Sequence, residues 1–455
     1  MDMQLRYRYR LEPTSSQQQA LARTFGCVRV VWNDALALSQ RLHEQGEKYP
    51  GATALQKLVI TNGKQTAERQ WLSGAFSHTL IQSVRDLDLA YRNWWKSLSG
   101  KRKGPKLRAP RFKKRSSAQS ARFTRQGFRV LDNDKLRLSK IGDIKVRWSR
   151  DLPSDPSSCT IIKDAAGRYF ASFVVEVEAA NSCAIDCPDK RAVGIDLGLA
   201  SLATTSDGEK VPFSKHFDAA RKRLRRLQRS LSRRDGDCTR TNKVTGRQQK
   251  GSHRYQRREL EIARLHARVA DQRTNGLHQL TSRLVRDYDF IAIEDLNVSG
   301  MLRAPKPVLD EAMQRWLPNG RAAKRSLARA ISDAGWRTFR TMLEQKADRA
   351  GKGVVAVNPA YTSQRCHQCG HTEKANRPKQ DTFRCQSCGH KDHADENAAK
   401  NILAAGLAVV ARGASAPAQL SGRGASYNLR LTGARGVVGE SSEASTHLKE
   451  MAYAA

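Results

Sequence analysis

Residues 192–210 read AVGIDLGLASLATTSDGEK. An apolar run ends at Asp196, a glycine-bearing turn follows, and a second run stops at Ser206-Asp207-Gly208. That pattern predicts two short strands with a carboxylate at the end of the first. Two stretches downstream repeat the theme. FIAIEDL, residues 290–296, is a short apolar run closed by Glu294. DENAAKNILAAGLAVV, residues 395–410, predicts a helix that opens on Asp395 and turns Ala398, Ile402 and Leu403 inward. A carboxylate directly after buried β-branched residues loses hydration unless a cation or donor compensates it, and both strand-borne acids share that predicament.

Taken singly, each acid has an ordinary reading: an Asp before Leu-Gly suits a turn, and an Asp opening a helix suits a cap. Taken together they suit two-metal phosphodiester hydrolysis, in which several carboxylates converge on Mg²⁺ or Mn²⁺ ions about 3.5–4 Å apart. Asp and Glu supply the hard oxygen ligands that such ions take.

Cys366, Cys369, Cys385 and Cys388 form C-x2-C-x15-C-x2-C, a spacing at which two knuckles bring four thiolates to one tetrahedral Zn²⁺. With all four ligand places filled, the zinc is expected to be structural. His367 and His371, inside or beside a knuckle, read as exposed or facing nucleic acid. Cys183 with Cys187, and the lone Cys27, Cys159 and Cys238, read as free thiols. An odd total of nine cysteines suits a reducing cytoplasm rather than a disulfide framework.

Hydrophobic residues at 39% and charged residues at 27% of 455 exclude wholesale disorder. Lys plus Arg number 81 against 44 Asp plus Glu, and a net charge of +37 is best tolerated when a polyanion covers it, so nucleic acid is the expected partner. No run approaches the ~18 apolar residues of a membrane span, and no membrane partner is expected. The N-terminus alternates Leu5, Tyr7 and Tyr9 with Arg6, Arg8 and Arg10 instead of opening on an apolar signal core. Residues 96–125 carry a net +12 and residues 215–275 a net +13, so two windows hold +25 of the +37. The first, KRKGPKLRAPRFKKR, is interrupted by Gly104, Pro105 and Pro110 and reads as extended, with Phe112 set among cations that include Lys113, Lys114 and Arg115. The second carries Leu224, Leu227 and Leu231 at helical spacing among Arg221, Arg223 and Arg225. After a polar turn the pattern resumes at Leu260, Ala263 and Ala267, so this window reads as a basic helical hairpin.

Thr14 and Gln17 fit a capping box ahead of an apolar stripe through Leu21, Phe25, Val28, Trp32, Ala35 and Leu42. Tyr169, Ala171, Phe173, Val175 and Val177 alternate as a strand. The polar stretch after it places a linker at 181–190, between an N-terminal domain over 1–180 and a second domain over 191–410. That second domain contains the basic insertion at 215–275 and the cysteine ribbon at 360–392. Residues 411–455, rich in Gly, Ser, Ala and Arg, read as a flexible tail.

The series GIDLG, AIEDL and DENAAKNI around Asp196, Glu294 and Asp395 resembles the three motifs of a RuvC-type nuclease with an RNase H-like fold. More closely, the chain resembles the TnpB family of insertion-sequence proteins, relatives of the type V CRISPR effectors. The supporting stretches are RYRLEPT (8–14), FGCVRVVWN (25–33), GPKLRAPRFKK (104–114), HARVADQRTNGLHQLT (266–281) and NPAYTSQRCHQCG (358–370). The resemblance spans about residues 4–405. It implies an N-terminal β-barrel wedge domain with a helical recognition insertion, joined to an α/β RuvC-like nuclease domain with an inserted zinc ribbon and a helical insertion. It implies Asp196, Glu294 and Asp395 as catalytic carboxylates, with Asp392, Asp295 and Glu396 beside them. It further implies a transposon-encoded DNA endonuclease that pairs a guide RNA with double-stranded target DNA next to a short flanking motif. A guided, non-cleaving binder and an RNA-independent junction nuclease are the competing readings.

Overall fold

The structure, a computed structural model, describes residues 2–115, 118–178, 191–233, 252–307, 309–310, 313–317 and 319–411. The expected linker at 181–190, the tail from 412 onward, the hairpin turn at 234–251, and Cys183, Cys187 and Cys238 lie outside the described residues. The chain forms two compact units, the first ending at Glu178.

In the first unit β1 (Asp2–Glu12) leads into α1 (Ser15–Glu44), α2 (Gly51–Gln56) and α3 (Ser77–Leu98). Six strands follow: β2 (Gln119–Thr124), β3 (Phe128–Val130), β4 (Lys135–Leu138), β5 (Gly142–Arg147), β6 (Ser158–Lys163) and β7 (Tyr169–Glu178). The capping box forms at Thr14 and Gln17, and Leu21, Phe25, Val28, Trp32 and Ala35 are buried on one face of α1. Pairing is antiparallel throughout, in the order β2-β6-β7-β1-β5-β4-β3. The two strands at the ends of that order are consecutive in the chain. Laid flat, seven strands would separate them by about 29 Å, whereas the four residue steps from Thr124 to Phe128 reach about 14 Å at most. The sheet therefore has to curl until its edges meet, as a barrel does. Its inner face, with Tyr9, Phe123, Ile161 and Phe173, shares one core with Phe25, Trp32, Leu80 and Leu87 of α1 and α3. Cys27 and Cys159 are buried in that core.

The first basic window is extended, as its glycine and prolines dictate, and it is tied to α1. The Trp32 indole N–H donates to the Arg111 carbonyl at 3.0 Å, and the Asn33 amide exchanges two hydrogen bonds with the Lys113 backbone. Lys113 Nζ stands 3.6 Å above the Trp32 ring, so this cation serves the fold, while Phe112 is exposed.

The second unit opens with an antiparallel meander of β8 (Ala192–Asp196), β9 (Ser201–Thr205) and β10 (Lys210–Pro212). Helices α4 (His216–Ser232) and α5 (His253–Asp287) pack on each other and lead to β11 (Phe290–Glu294). Then come α6 (Val298–Met301), the short pair β12 (Leu309–Asp310) and β13 (Arg315–Trp316), α7 (Arg321–Ala334), α8 (Trp336–Arg349) and β14 (Gly353–Val357). The ribbon hairpin β15 (Thr382–Arg384) and β16 (Lys391–His393) precedes α9 (Ala394–Ala411). The sheet order is β10-β9-β8-β11-β14, with β8, β11 and β14 parallel. Every residue of β11 is buried, as befits a central parallel strand covered on both faces.

The two faces sort by alternation. Val193, Ile195, Ile291 and Ile293 pack on α5, α7 and α8 through Leu280, Leu284, Ile331 and Phe339. Phe290, Ala292 and Val357 pack on α9 through Ile402. Gly194 makes the approach of α9 possible: a Cβ there would stand 2.1 Å from the Ala399 carbonyl oxygen. Among the described residues no helix is long and apolar enough to cross a membrane.

Candidate active site and metal centre

Alternation along the strands also aims the acids. Gly194 and Asp196 lie on the opposite face of β8 from Val193 and Ile195, and Glu294 shares the face of Phe290 and Ala292. That is the α9 face. Because Ile195 pairs with Ile293, the two carboxylates are carried out at the same end of neighbouring parallel strands. Asp395 completes the group from the first turn of α9.

Burial pushes the Asp196 carboxyl up to about 7, with the charges of Glu294 and then Asp395 adding to the rise and Arg377 opposing it. Burial also raises Glu294, partly offset by the Thr362 hydroxyl, which donates to Glu294 Oε1 at 2.7 Å. Asp395 Oδ1 accepts from Arg377 at 3.1 Å. Asp196 thus lies within electrostatic reach of Glu294, Asp395 and Arg377, and its ionised form is disfavoured. The donor set is one of hard carboxylate oxygens, the type that divalent ions such as Mg²⁺ take.

The neighbouring acids are neutralised locally. Asp295 pairs with Arg340, Glu396 with Lys210 at 3.1 Å, and Asp392 with Lys400 at 2.7 Å. Sequence reading did not single out Thr362, Arg377, Asn397 or Asn401. Asn397 and Asn401, one turn apart on α9, donate to the carbonyls of Arg365 and of Thr362 and Arg365 respectively. They hold the segment carrying Thr362 against the helix that carries Asp395.

The four cysteines converge as their spacing predicts, with Sγ separations of 3.7 Å for Cys366–Cys388 and 3.5 Å for Cys369–Cys385. Tetrahedral Zn–S bonds would set about 3.8 Å, so the cluster can hold a metal such as zinc. The amides of Cys388 and Ser387 lower the Cys385 thiol, while the neighbouring sulfurs push its partner Cys388 up, so the two share one proton until a metal displaces it. His371 is half-buried, its Nε2 3.2 Å from Glu373 Oε2. His367 departs from expectation: it is partly buried, its Nδ1 3.2 Å from Asn397 Oδ1 and its ring edge-on to His390. The knuckle turns it inward toward α9.

In the second basic window Leu224 and Leu227 are buried against α5, while Arg223 and Arg225 are exposed and Arg221 lies 3.7 Å from Asp218. Lys114 and Arg115 are exposed in the first.

Three family models match the chain: "Helix-turn-helix domain" over residues 1–48, "Probable transposase" over 172–304 and "Cas12f1-like, TNB domain" over 336–402. The chain is 35% identical over 412 residues to "Putative RNA-guided DNA endonuclease" of Streptomyces pristinaespiralis, covering 90% of both proteins. It is 36% identical over 408 residues to "Putative RNA-guided DNA endonuclease InsQ" of Escherichia coli K12, covering 90% of this chain and 93% of that one. The chain belongs to the TnpB family. In this TnpB-family chain the segment matched by the first model is one strand followed by one 30-residue helix. The third model spans α8, the ribbon and the start of α9, and so contains both the cysteine cluster and Asp395. A solved structure titled "Cryo-EM structure of the Cas12f1-sgRNA-target DNA complex" aligns over 85% of this chain and 82% of its own, at 12% identity and a TM-score of 0.45.

Proposed function

We propose that this protein is an RNA-guided, divalent-metal-dependent DNA endonuclease of a transposable element, cutting double-stranded target DNA beside a short flanking motif inside the cell. The observation that carries the proposal is the convergence of Asp196, Glu294 and Asp395 on one face of the second sheet, with the Asp196 carboxyl raised to about 7 by burial and by its two partners. The names of the two relatives above supply the guide RNA and the DNA substrate.

In this reading residues 191–410 are an RNase H-like, RuvC-type nuclease domain, and residues 1–180 are a wedge domain whose helices form the recognition insertion. Asp196, Glu294 and Asp395 would hold Mg²⁺ or Mn²⁺, which supplies an activated water and stabilises the leaving oxygen. Thr362 fixes the rotamer of Glu294, and Arg377 screens Asp395 until the metal and a phosphate arrive. The Cys366, Cys369, Cys385 and Cys388 cluster holds structural Zn²⁺, since no ligand place is left for substrate. Base pairing reads the sequence while cations such as Lys114, Arg115, Arg223 and Arg225 grip the backbone.

The test is a pair of plasmids that differ only in the target. Protein co-expressed with its RNA should cut the matched plasmid alone, and rewriting the guide segment should move the cut. Equal cutting of both, or cutting undiminished after the RNA is removed, would favour an RNA-independent nuclease. Tight binding without cutting in Mg²⁺ would favour a guided binder.

A further inference from the structure

Beside the four cysteines lies a second convergence of ligand atoms, formed by His367, His390 and Asp392, all within 4.8 Å of one another. His367 Nδ1 is 3.9 Å and His390 Nε2 is 3.7 Å from Asp392 Oδ2. Neither separation is a hydrogen bond. Both are within about half an ångström of the about 3.4 Å that separates two ligands on a tetrahedral zinc with bonds near 2.05 Å. His390 Nε2 is fully buried and has no hydrogen-bond partner. A buried imidazole nitrogen aimed at a carboxylate it does not bond is the pattern left when the atom that should bridge them is missing.

We infer that His367 Nδ1, His390 Nε2 and Asp392 Oδ2 form a second binding site for a first-row divalent ion such as Zn²⁺, distinct from the cysteine site and from the nuclease acids. Two imidazoles and one carboxylate are a borderline donor set that suits Zn²⁺ or Co²⁺ better than Mg²⁺. The site is preorganised by its neighbour. His367 sits between Cys366 and Cys369, and His390 follows Cys388 by two residues, so each knuckle delivers one histidine. Closing the cysteine cluster fixes the backbone of both. The Cys385 amide, for example, donates to the His390 carbonyl at 2.8 Å. Asn397 Oδ1 keeps the His367 backbone amide as a donor at 3.1 Å when the ring turns to metal, so no buried acceptor is stranded.

Lys400 is the competitor. Its ammonium lies 2.7 Å from Asp392 Oδ2, and a cation entering the site must displace it. The second ion should therefore bind more weakly than the cysteine-held one, and removing Lys400 should tighten it.

The experiment uses the full-length protein equilibrated with Co²⁺ alone. Bound metal is counted per chain, and the thiolate-to-cobalt absorption band reports the cysteine site separately. His390→Ala and Asp392→Asn should each hold one Co²⁺ fewer than the wild type with the thiolate band unchanged. Lys400→Ala should bind that same ion about tenfold more tightly. A wild type and Asp392→Asn that hold equal metal, or Lys400→Ala with unaltered affinity, would overturn the inference. Loss of the thiolate band in Asp392→Asn, which keeps the side chain's volume, would also overturn it by making Asp392 a structural support of the ribbon.

Discussion

Replacing Asp196 by Asn removes a charge that burial in the fold disfavours. In the folded protein its carboxyl titrates at about 7 against an ordinary 3.8. That difference of about three units, at 1.36 kcal/mol each, amounts to about 4 kcal/mol of unfavourable ionisation. The side chain keeps some solvent access, and water trims the figure to about 2–4 kcal/mol. The sign follows from linkage. A carboxyl whose folded pKa is raised costs nothing below the unfolded value near 4, progressively more up to 7, and a constant amount above it. Asp196→Asn should therefore match the wild type at pH 4 and exceed it by about 2–4 kcal/mol at pH 8. The assay is native-state hydrogen exchange read at β8 and β11, which isolates the second unit from the first. Buffers free of Mg²⁺ and Mn²⁺ preserve the effect; added Mg²⁺ should stabilise the wild type selectively and close the gap. An Asn variant no more stable at pH 8, or equally favoured at both pH values, would refute the claim that the fold disfavours the ionised Asp196 carboxylate.

Asp196→Ala, Glu294→Ala and Asp395→Ala should each abolish cleavage while leaving DNA binding largely intact, and their effects should not add, because losing one ligand spoils the whole metal geometry; near-normal cutting by Asp395→Ala but not by Asp392→Ala would reassign the third acid. Cys385→Ser should lower zinc content and thermal stability together, as metal analysis and a melting curve will show, because the ion supplies folding energy to so small a module. Substituting Lys114 and Arg115, or Arg223 and Arg225, by Ala should weaken nucleic-acid binding across sequences and flatten the slope of log K against log salt, and an unchanged slope would return these cations to mere solvated faces. Gly194→Ala should lower the melting temperature by the equivalent of about 1–3 kcal/mol or more and impair cutting, since the new methyl meets the α9 backbone and not a side chain that can turn away.

What the sequence made legible was whatever depends on local periodicity. The capping box at Thr14, the alternation of β7 and the knuckle spacing each encode their own geometry within a few residues, and each stands where it was read. Groups whose role depends on distant partners were not legible. Thr362 reads as one more hydroxyl until Glu294, 68 positions earlier in the chain, arrives beside it. Arg377 lies in a polar stretch with nothing local to mark it as the counter-charge of Asp395. Lys113 reads as part of a cationic run, and only the Trp32 ring shows that this cation is committed to the fold. His367 reads as exposed because its neighbours are polar, yet the knuckle turns it toward Asn397.

The ribbon and the acidic group are mechanically one object. Ala394 is fully buried in a small cluster with Cys366, Phe383 and Cys385, and the next residue in the chain is Asp395. The Ala394 amide donates to the Asp381 carbonyl in the ribbon, while Asn397 and Asn401 grip the segment that carries Thr362 and leads into Cys366. The position of the third carboxylate is therefore set from two sides. On one side α9 seats on Gly194 and Ala292 of the sheet, the latter against Gly406; on the other, the ribbon holds its first turn through Ala394. On the proposed function, a metal closing the knuckles would therefore also fix where Asp395 stands relative to Asp196 and Glu294. The sheet aligns Asp196 and Glu294 through strand register, and Asp395, carried on a helix outside that register, is located by the ribbon.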